Sequence, residues 1–217
     1  QFQQPLVVST AQTRRVQVIV GAELDGVAEV RIYSMPVESE LAQSDTWQLH
    51  CVGQLSRSGA GELESVDPTE HLQKLGSMTT RDDYYADYCA AGYDLGESFK
   101  WIDSVHFDGT NVIGQLRRPT VLGTEDSFEA LPGLLDSCFQ LLAQSIAAAV
   151  EIEDDTIFIP FELEHLEFVG PVGTKLSCFV DLIESSRESL SANFRLYDPS
   201  GSPVGVIRGF KARRTTR

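Results

Sequence analysis

Two residues in this chain are placed to do acid–base chemistry. Asp136 and Gln140 lie in the stretch 131–150 (LPGLLDSCFQLLAQSIAAAV), where Asp136 is the one charged residue in an otherwise apolar or neutral run. Residues four apart share a helix face, so Gln140 sits one turn from Asp136 and within hydrogen-bonding reach of it. A helix apolar on nearly every side is normally buried, and a buried carboxylate is costly unless its surroundings compensate. Low dielectric raises a carboxyl pKa, which is what a general acid working near neutrality requires. A local electrostatic reading competes with this one. Asp136 follows Pro132 and Gly133, and the macrodipole favours a carboxylate in the first turn of any helix.

Composition narrows the function. At 217 residues the chain holds one large domain or two small ones, and 42% hydrophobic with 23% charged residues is the balance of a globular protein. A net charge of −15 argues against nucleic acid or an anionic membrane as partner, since both select for Lys and Arg. The basic cluster Lys211, Arg213, Arg214 and Arg217 reads as the end of a domain. Four cysteines (Cys51, Cys89, Cys138, Cys178) form no CxxC pair and read as buried thiols of a reducing compartment, with neither disulfide nor metal. No signal peptide is apparent. The longest apolar run, 134–150, is short for a bilayer and is broken by Asp136, Gln140 and Gln144. A soluble, cytoplasmic protein without cofactor is therefore expected. Nucleotide, zinc-protease and serine-hydrolase signatures are absent, and the acidic run Glu151, Glu153, Asp154, Asp155 lacks the ordered spacing of a calcium loop.

The elements that must position Asp136 follow from periodicity. Residues 1–8, 16–20, 27–34 and 47–55 read as about four antiparallel strands, with a turn at Asp25-Gly26. In the last of these, Trp47, Leu49, Cys51 and Leu55 share an apolar face opposite Gln48, His50 and Gln54. This all-strand segment brings no helix to cover its apolar face, so a partner or an upstream segment is expected to do so. Residues 56–80 show no sustained period and read as a linker. A short helix with an acidic first turn is expected over 81–91, ended by Gly92. Strands are expected at 99–107 and 111–116, joined at Asp108-Gly109, then the buried helix 134–150. Strands at 157–161, 166–169, 175–184, 190–197 and 204–212 follow, the last two joined by Asp198-Pro199-Ser200-Gly201.

One apolar helix wrapped by an antiparallel sheet is an α+β hotdog arrangement, and here the motifs resemble a family. GYDLGESFKWI (92–102) is similar to the G-x-x-Y-G-P-x-F segment of polyketide synthase dehydratase domains. LPGLLDSCFQ (131–140) is similar to their H-P-A-L-L-D-A-x-x-Q segment. The resemblance implies a double hotdog with an incomplete first half: residues 1–56 as closing strands of the first hotdog, 57–91 as linker and short helix, and 92–217 as the second hotdog. It also implies that Asp136 protonates the departing hydroxyl of a β-hydroxyacyl thioester, with Gln140 orienting it. Leu95, Gly96, Phe99, Leu131, Pro132, Phe158, Pro160 and Phe161 would line the acyl site. The implied partners are an acyl carrier protein bearing a phosphopantetheine-tethered acyl chain, other synthase domains, and a second copy of the chain.

The chain departs from the family pattern at three places. The catalytic His segment of the family falls upstream of Gln1, the Tyr-Gly-Pro triplet is Leu95-Gly96-Glu97, and the His of the H-P pair is Leu131. None of the four histidines is spaced to replace the missing base. His50 reads as structural, His71 as a solvated linker residue, and His106 and His165 as surface positions. Three readings stay open at this stage: a dehydratase whose His lies outside the chain, a relative that moves a double bond or closes an oxygen ring, and an inactive dimerisation or docking domain.

Overall fold

A computed structural model describes residues 1–10, 12–37, 46–57, 63–109, 111–123, 132–143, 156–169, 172–186 and 188–216. Contacts divide the chain into two compact units, one of Gln1–Gly59 with Pro160–Glu162, the other of Ala60–Ile159 with Leu163–Arg217.

The first unit is a meander of β1 (Arg14–Val20), β2 (Val27–Pro36) and β3 (Gln48–Ser56). Asp25 and Gly26 both take positive φ (51° and 78°) and make the expected two-residue turn. The fourth strand expected over residues 1–8 is not formed; the segment gives only an isolated bridge between Phe2 and Cys51. Pro5, which has no N–H to offer a ladder, sits in the middle of it. A register shift between Ile32 and Tyr33 also changes what β3 buries. Its buried residue is His50, assigned to the polar face by alternation, at 5% exposure. His50 Nδ1 lies 3.0 Å from the Gln4 carbonyl, which can only accept, so Nδ1 carries the proton and Nε2 accepts from the Ser34 hydroxyl at 2.7 Å. Arg14 Nε donates to the same hydroxyl at 2.9 Å. The ring ties the N-terminal segment to the sheet.

The second unit carries an eight-stranded sheet, apart from Pro160–Glu162, which fall in the first unit. Its order is β4 (Ser77–Thr80), β5 (Ile102–Phe107), β6 (Val112–Arg117), β9 (Lys175–Ser185), β10 (Ser189–Tyr197), β11 (Pro203–Thr216) and β7 (Thr156–Glu162), with β8 (His165–Phe168) on β11. Alternation is clean in β10, where Leu190, Ala192, Phe194 and Leu196 are all buried. These residues, with Ile102, Val105, Val112, Leu116, Leu176, Cys178, Val180, Ile207 and Phe210, surround helix α3 (Pro132–Gln140), which contributes Leu134 and Cys138. Phe139 stacks on Phe210 at 4.2 Å. The α+β arrangement of an antiparallel sheet around an apolar helix is as expected from the sequence.

Three local differences have physical causes. The stretch read as a linker holds α1 (Pro68–Lys74) and β4. Asp67 caps α1 by accepting from Thr69 and Glu70 N–H, and Pro68 occupies the first turn, where its missing N–H is harmless. This segment covers the outer face of the sheet: Val66, Leu72 and Leu75 pack on Ile113, Phe179 and Tyr197. The strand expected from residue 99 begins at Ile102, because Glu97–Phe99 form a 3-10 turn. Helix α3 opens at Pro132 rather than 134, the position proline favours; residues 144–150 of the expected long helix, the acidic run 151–155 and Leu131 lie outside the described residues. Helix α2 (Arg81–Ala90) forms as expected and stops at Gly92, whose φ is 87°. Of the cysteines, Cys138 and Cys178 are buried, Cys51 is half-buried and Cys89 exposed, and all four are free thiols, so the buried-thiol reading fits only two.

Gly201 ties the outer segment down. Its φ is 85°, its carbonyl accepts from Val66 N–H at 3.0 Å, and a β-carbon there would overlap the Val66 carbonyl oxygen. Gly201→Ala is expected to lose about 1–3 kcal/mol in urea denaturation, since the strained φ and the overlap both require backbone movement. An unchanged midpoint would show that the segment 63–75 is not pinned there.

Candidate active site

Helix α3 is held so close to the 3-10 turn Glu97–Phe99 that a side chain at its second residue has no room. A β-carbon at Gly133 would overlap the Ser98 carbonyl oxygen and lie 3.1 Å from Trp101 Nε1. Trp101, 1% exposed, donates from Nε1 to the same Ser98 carbonyl at 3.1 Å. The contact fixes where Asp136, one turn further along, stands. No acidic residue occupies the first turn of α3, so the macrodipole reading of Asp136 does not hold.

Gln140 is 3% exposed and its side-chain amide is fully used. Nε2 donates to Asp136 Oδ2 at 2.7 Å and to the Phe99 carbonyl at 3.0 Å, and Oε1 accepts from the Tyr85 hydroxyl at 3.4 Å. Ser137, fully buried, donates to Phe99 O at 2.9 Å and accepts from Trp101 N–H at 3.2 Å. The Tyr85 hydroxyl accepts from Ile102 N–H at 3.0 Å, and Tyr84 donates to the Gln140 backbone carbonyl at 2.5 Å. Four elements are thus joined around one carboxyl: α2, the 3-10 turn, the start of β5, and α3.

Burial raises the Asp136 pKa above the ordinary aspartate value, and the hydrogen bond from Gln140 opposes that rise. Burial also pushes Tyr85 up to about 12 and raises Tyr84 and Tyr88, so all three keep their protons at working pH. On the dry side of the helix, burial and the neighbouring Cys138 raise Cys178, so this thiol stays protonated and inert. The site therefore offers a partly desolvated acid, oriented by an amide and surrounded by neutral hydroxyl groups.

The other residues picked from the sequence divide. Phe99 joins the network through its carbonyl, with its ring 38% exposed, and Gly96 caps the 3-10 turn. Leu95 is half-buried and Pro132 exposed at the start of α3. Phe158 packs against the core around α3, which favours ordinary core packing for it. Pro160 is exposed and Phe161 half-buried, and both belong to the first unit. Glu97, which stands at the Pro position of the family triplet, pairs with Lys100 at 2.7 Å and Arg81 at 3.5 Å. Of the histidines besides His50, His71 packs edge-on to Phe179 at 5.2 Å, His106 sits in β5 beside Ser104 at 3.3 Å, and His165 contacts Glu167 at 3.1 Å. Sequence reasoning missed Tyr84, Tyr85 and Ser137. Of these only Ser137 carried a signal, being adjacent to Asp136; the tyrosines lie some fifty residues away. Among the described residues there is no group of three or more His, Cys, Asp or Glu side chains that could hold a metal, and no helix long and apolar enough to cross a membrane.

Known proteins share this fold. Residues 63–217 match the family described as the polyketide synthase dehydratase N-terminal domain, and the chain belongs to that family. It is 27% identical over 210 residues to polyketide synthase PksN of Bacillus subtilis (strain 168), a match that covers 95% of this chain and 4% of PksN. Among solved structures, the dehydratase domain from the CurJ module of curacin polyketide synthase is similar at a TM-score of 0.83 and 23% identity, over 99% of this chain and 73% of that one. An N-terminal dehydratase from the difficidin assembly line reaches 0.79 at 16% identity, over 100% and 75%. At such identities the likeness is one of fold, and that fold is the α+β hotdog.

A carboxyl with a raised pKa makes stability depend on pH. The folded state then binds the proton more tightly than the unfolded chain, so this contribution favours folding below the ordinary aspartate value of about 3.9 and is lost as pH rises through the raised value. Asp136→Asn removes the dependence. Its thermal midpoint relative to the parent is expected to be higher near neutral pH than at about pH 4. An identical difference at both pH values would show that burial does not perturb the carboxyl.

Proposed function

We propose that this chain is the acid-bearing part of a polyketide synthase dehydratase acting on a β-hydroxyacyl thioester tethered to a carrier protein. Asp136 gives its proton to the β-hydroxyl as the Cβ–O bond breaks. A base outside the chain, the histidine that the family resemblance implies, takes the α-proton, and the electrons of the Cα–H bond form the double bond of the enoyl thioester. Water leaves with the Asp136 proton. Fixed, separate positions for acid and base around one acyl chain are what this elimination needs.

The observation that carries the reading is the 2.7 Å hydrogen bond from Gln140 to a carboxyl whose pKa is raised by burial. Gln140 directs Oδ2, and the desolvated surroundings favour the protonated form of the group. On this reading residues 1–56 are the closing strands of a first hotdog, 57–91 connect, and 92–217 form the second, making a double hotdog with the upstream histidine segment. Leu95, Gly96, Phe99 and Pro132 then border the acyl chain near the acid. The carrier protein and other synthase domains are its partners, a second copy of the chain is its dimer mate, and the cytoplasm is its compartment.

The test uses the synthase that contains this chain. Asp136→Asn is expected to lower elimination from a β-hydroxyacyl thioester about 10²–10⁴-fold, the range for loss of a general acid. Full-rate elimination by the variant overturns the proposal. Supplying an enoyl thioester in parallel separates dehydration from double-bond migration, for which Leu95-Gly96-Glu97 in place of the family triplet is the motivating difference.

A further inference from the structure

We propose that Tyr85, on α2, is a positioning residue for Asp136, acting through Gln140 to hold the amide N–H on the carboxyl. The inference rests on the reading of Asp136 as the general acid and adds to it a residue that nothing in the motif itself contains.

The argument is one of hydrogen-bond accounting. A glutamine amide has two donors on nitrogen and an acceptor oxygen, and turning it over exchanges them. At Gln140 both N–H groups are aimed at acceptors, Asp136 Oδ2 and the Phe99 carbonyl. Those two acceptors set the orientation, and Oε1, buried on the other side, needs a donor of its own. The Tyr85 hydroxyl is that donor, at 3.4 Å. Its oxygen accepts from Ile102 N–H at 3.0 Å, which leaves the proton to donate. Ser137, which also lies beside the Tyr85 hydroxyl, already donates to Phe99 O at 2.9 Å. The phenol stays protonated across working pH, so the donor is always present.

Tyr85 is itself held by two cations. Arg81 and Lys100 place their cations 5.2 Å and 5.8 Å from the Tyr85 ring centre, and both pair with Glu97. Arg81 Nη1 also donates to the Lys100 carbonyl at 2.7 Å, anchoring α2 to the chain that leads into β5. The titratable and charged groups around Asp136 are therefore Tyr84, Tyr85 and Tyr88 on α2, Arg81 at its start, and Glu97 and Lys100 at the 3-10 turn. On α3 and β9 the buried thiols Cys138 and Cys178 sit in the core, and β6, which packs on α3, carries Arg117 paired with Asp103 at 2.7 Å. Only Gln140 donates to the carboxyl among the hydrogen bonds described, so whatever fixes Gln140 fixes the acid.

Removing the Tyr85 hydroxyl leaves Oε1 without its donor, and the amide is held less firmly on the carboxyl. The N–H bond from Gln140 stabilises the ionised carboxyl, so weakening it moves the Asp136 titration to higher pH. The test is a carbon-13 NMR titration of aspartate-labelled protein, with Asp136 assigned by Asp136→Asn. Tyr85→Phe, which deletes one oxygen atom and no carbon, is expected to move the Asp136 titration upward. Tyr84→Phe, which deletes the neighbouring hydroxyl that donates to the Gln140 backbone carbonyl, is expected to leave it in place. In a Gln140→Met background the Tyr85→Phe shift is expected to vanish, the signature of action through Gln140. In the intact synthase, Tyr85→Phe is expected to lower kcat about ten- to hundredfold with KM unchanged, as misplacement of a reacting group does.

An unchanged titration in Tyr85→Phe overturns the inference. So does an equal shift in Tyr84→Phe, or a shift that survives in Gln140→Met. The titration does not depend on turnover, so loss of the general-acid reading (full elimination by Asp136→Asn) and loss of the Tyr85 inference are separate outcomes.

Discussion

The site depends on one side-chain amide with no spare polar group. Gln140 is buried, and each of its hydrogen-bonding directions is taken by a partner on a different segment. An unsatisfied buried amide costs about 1–3 kcal/mol. Each partner therefore defends the position of the others, and Asp136 inherits that rigidity without making many contacts of its own. The same environment that raises the carboxyl pKa supplies the single hydrogen bond that keeps the group from being stranded.

The scaffold explains how a polar network survives inside an apolar core. Leu134 and Cys138 face the sheet, and Phe139 stacks on Phe210, so the helix is anchored by burial on one side. Its polar side is closed by a backbone approach that only glycine allows, at Gly133 against Ser98. Ser137 then bridges the Phe99 carbonyl and the Trp101 N–H, two backbone groups that the 3-10 turn leaves outside any ladder. Close packing and polar satisfaction are in this way the same feature, and both determine where the acid stands.

Much of this was legible in the sequence because it is local. Alternation in residues 190–197 marked β10, the Asp25-Gly26 and Asp198–Gly201 turns marked their hairpins, and the i, i+4 spacing of Asp136 and Gln140 marked their contact. What escaped was nonlocal or cooperative. Tyr85 reaches Gln140 across fifty-five positions, and no periodicity encodes such a meeting. Helix α1 is seven residues long, too short for a period to emerge, and it exists because Asp67 caps it and the outer face of the sheet receives Leu72. His50 went to the wrong face because one register shift inverted the local alternation. The N-terminal segment read as a strand on composition alone, yet its apolar Val7 and Val8 are 67% and 64% exposed.

The central claim is that Asp136 holds its proton where an ordinary aspartate has lost it. Infrared difference spectroscopy between the parent chain and Asp136→Asn tests it directly, because a protonated carboxyl has a carbonyl stretch that a carboxylate lacks. As pH rises, the parent is expected to keep that band to higher pH than an ordinary aspartate does, and the variant to lack it at every pH. A parent whose band is lost at or below the ordinary aspartate value of about 3.9 would contradict the account.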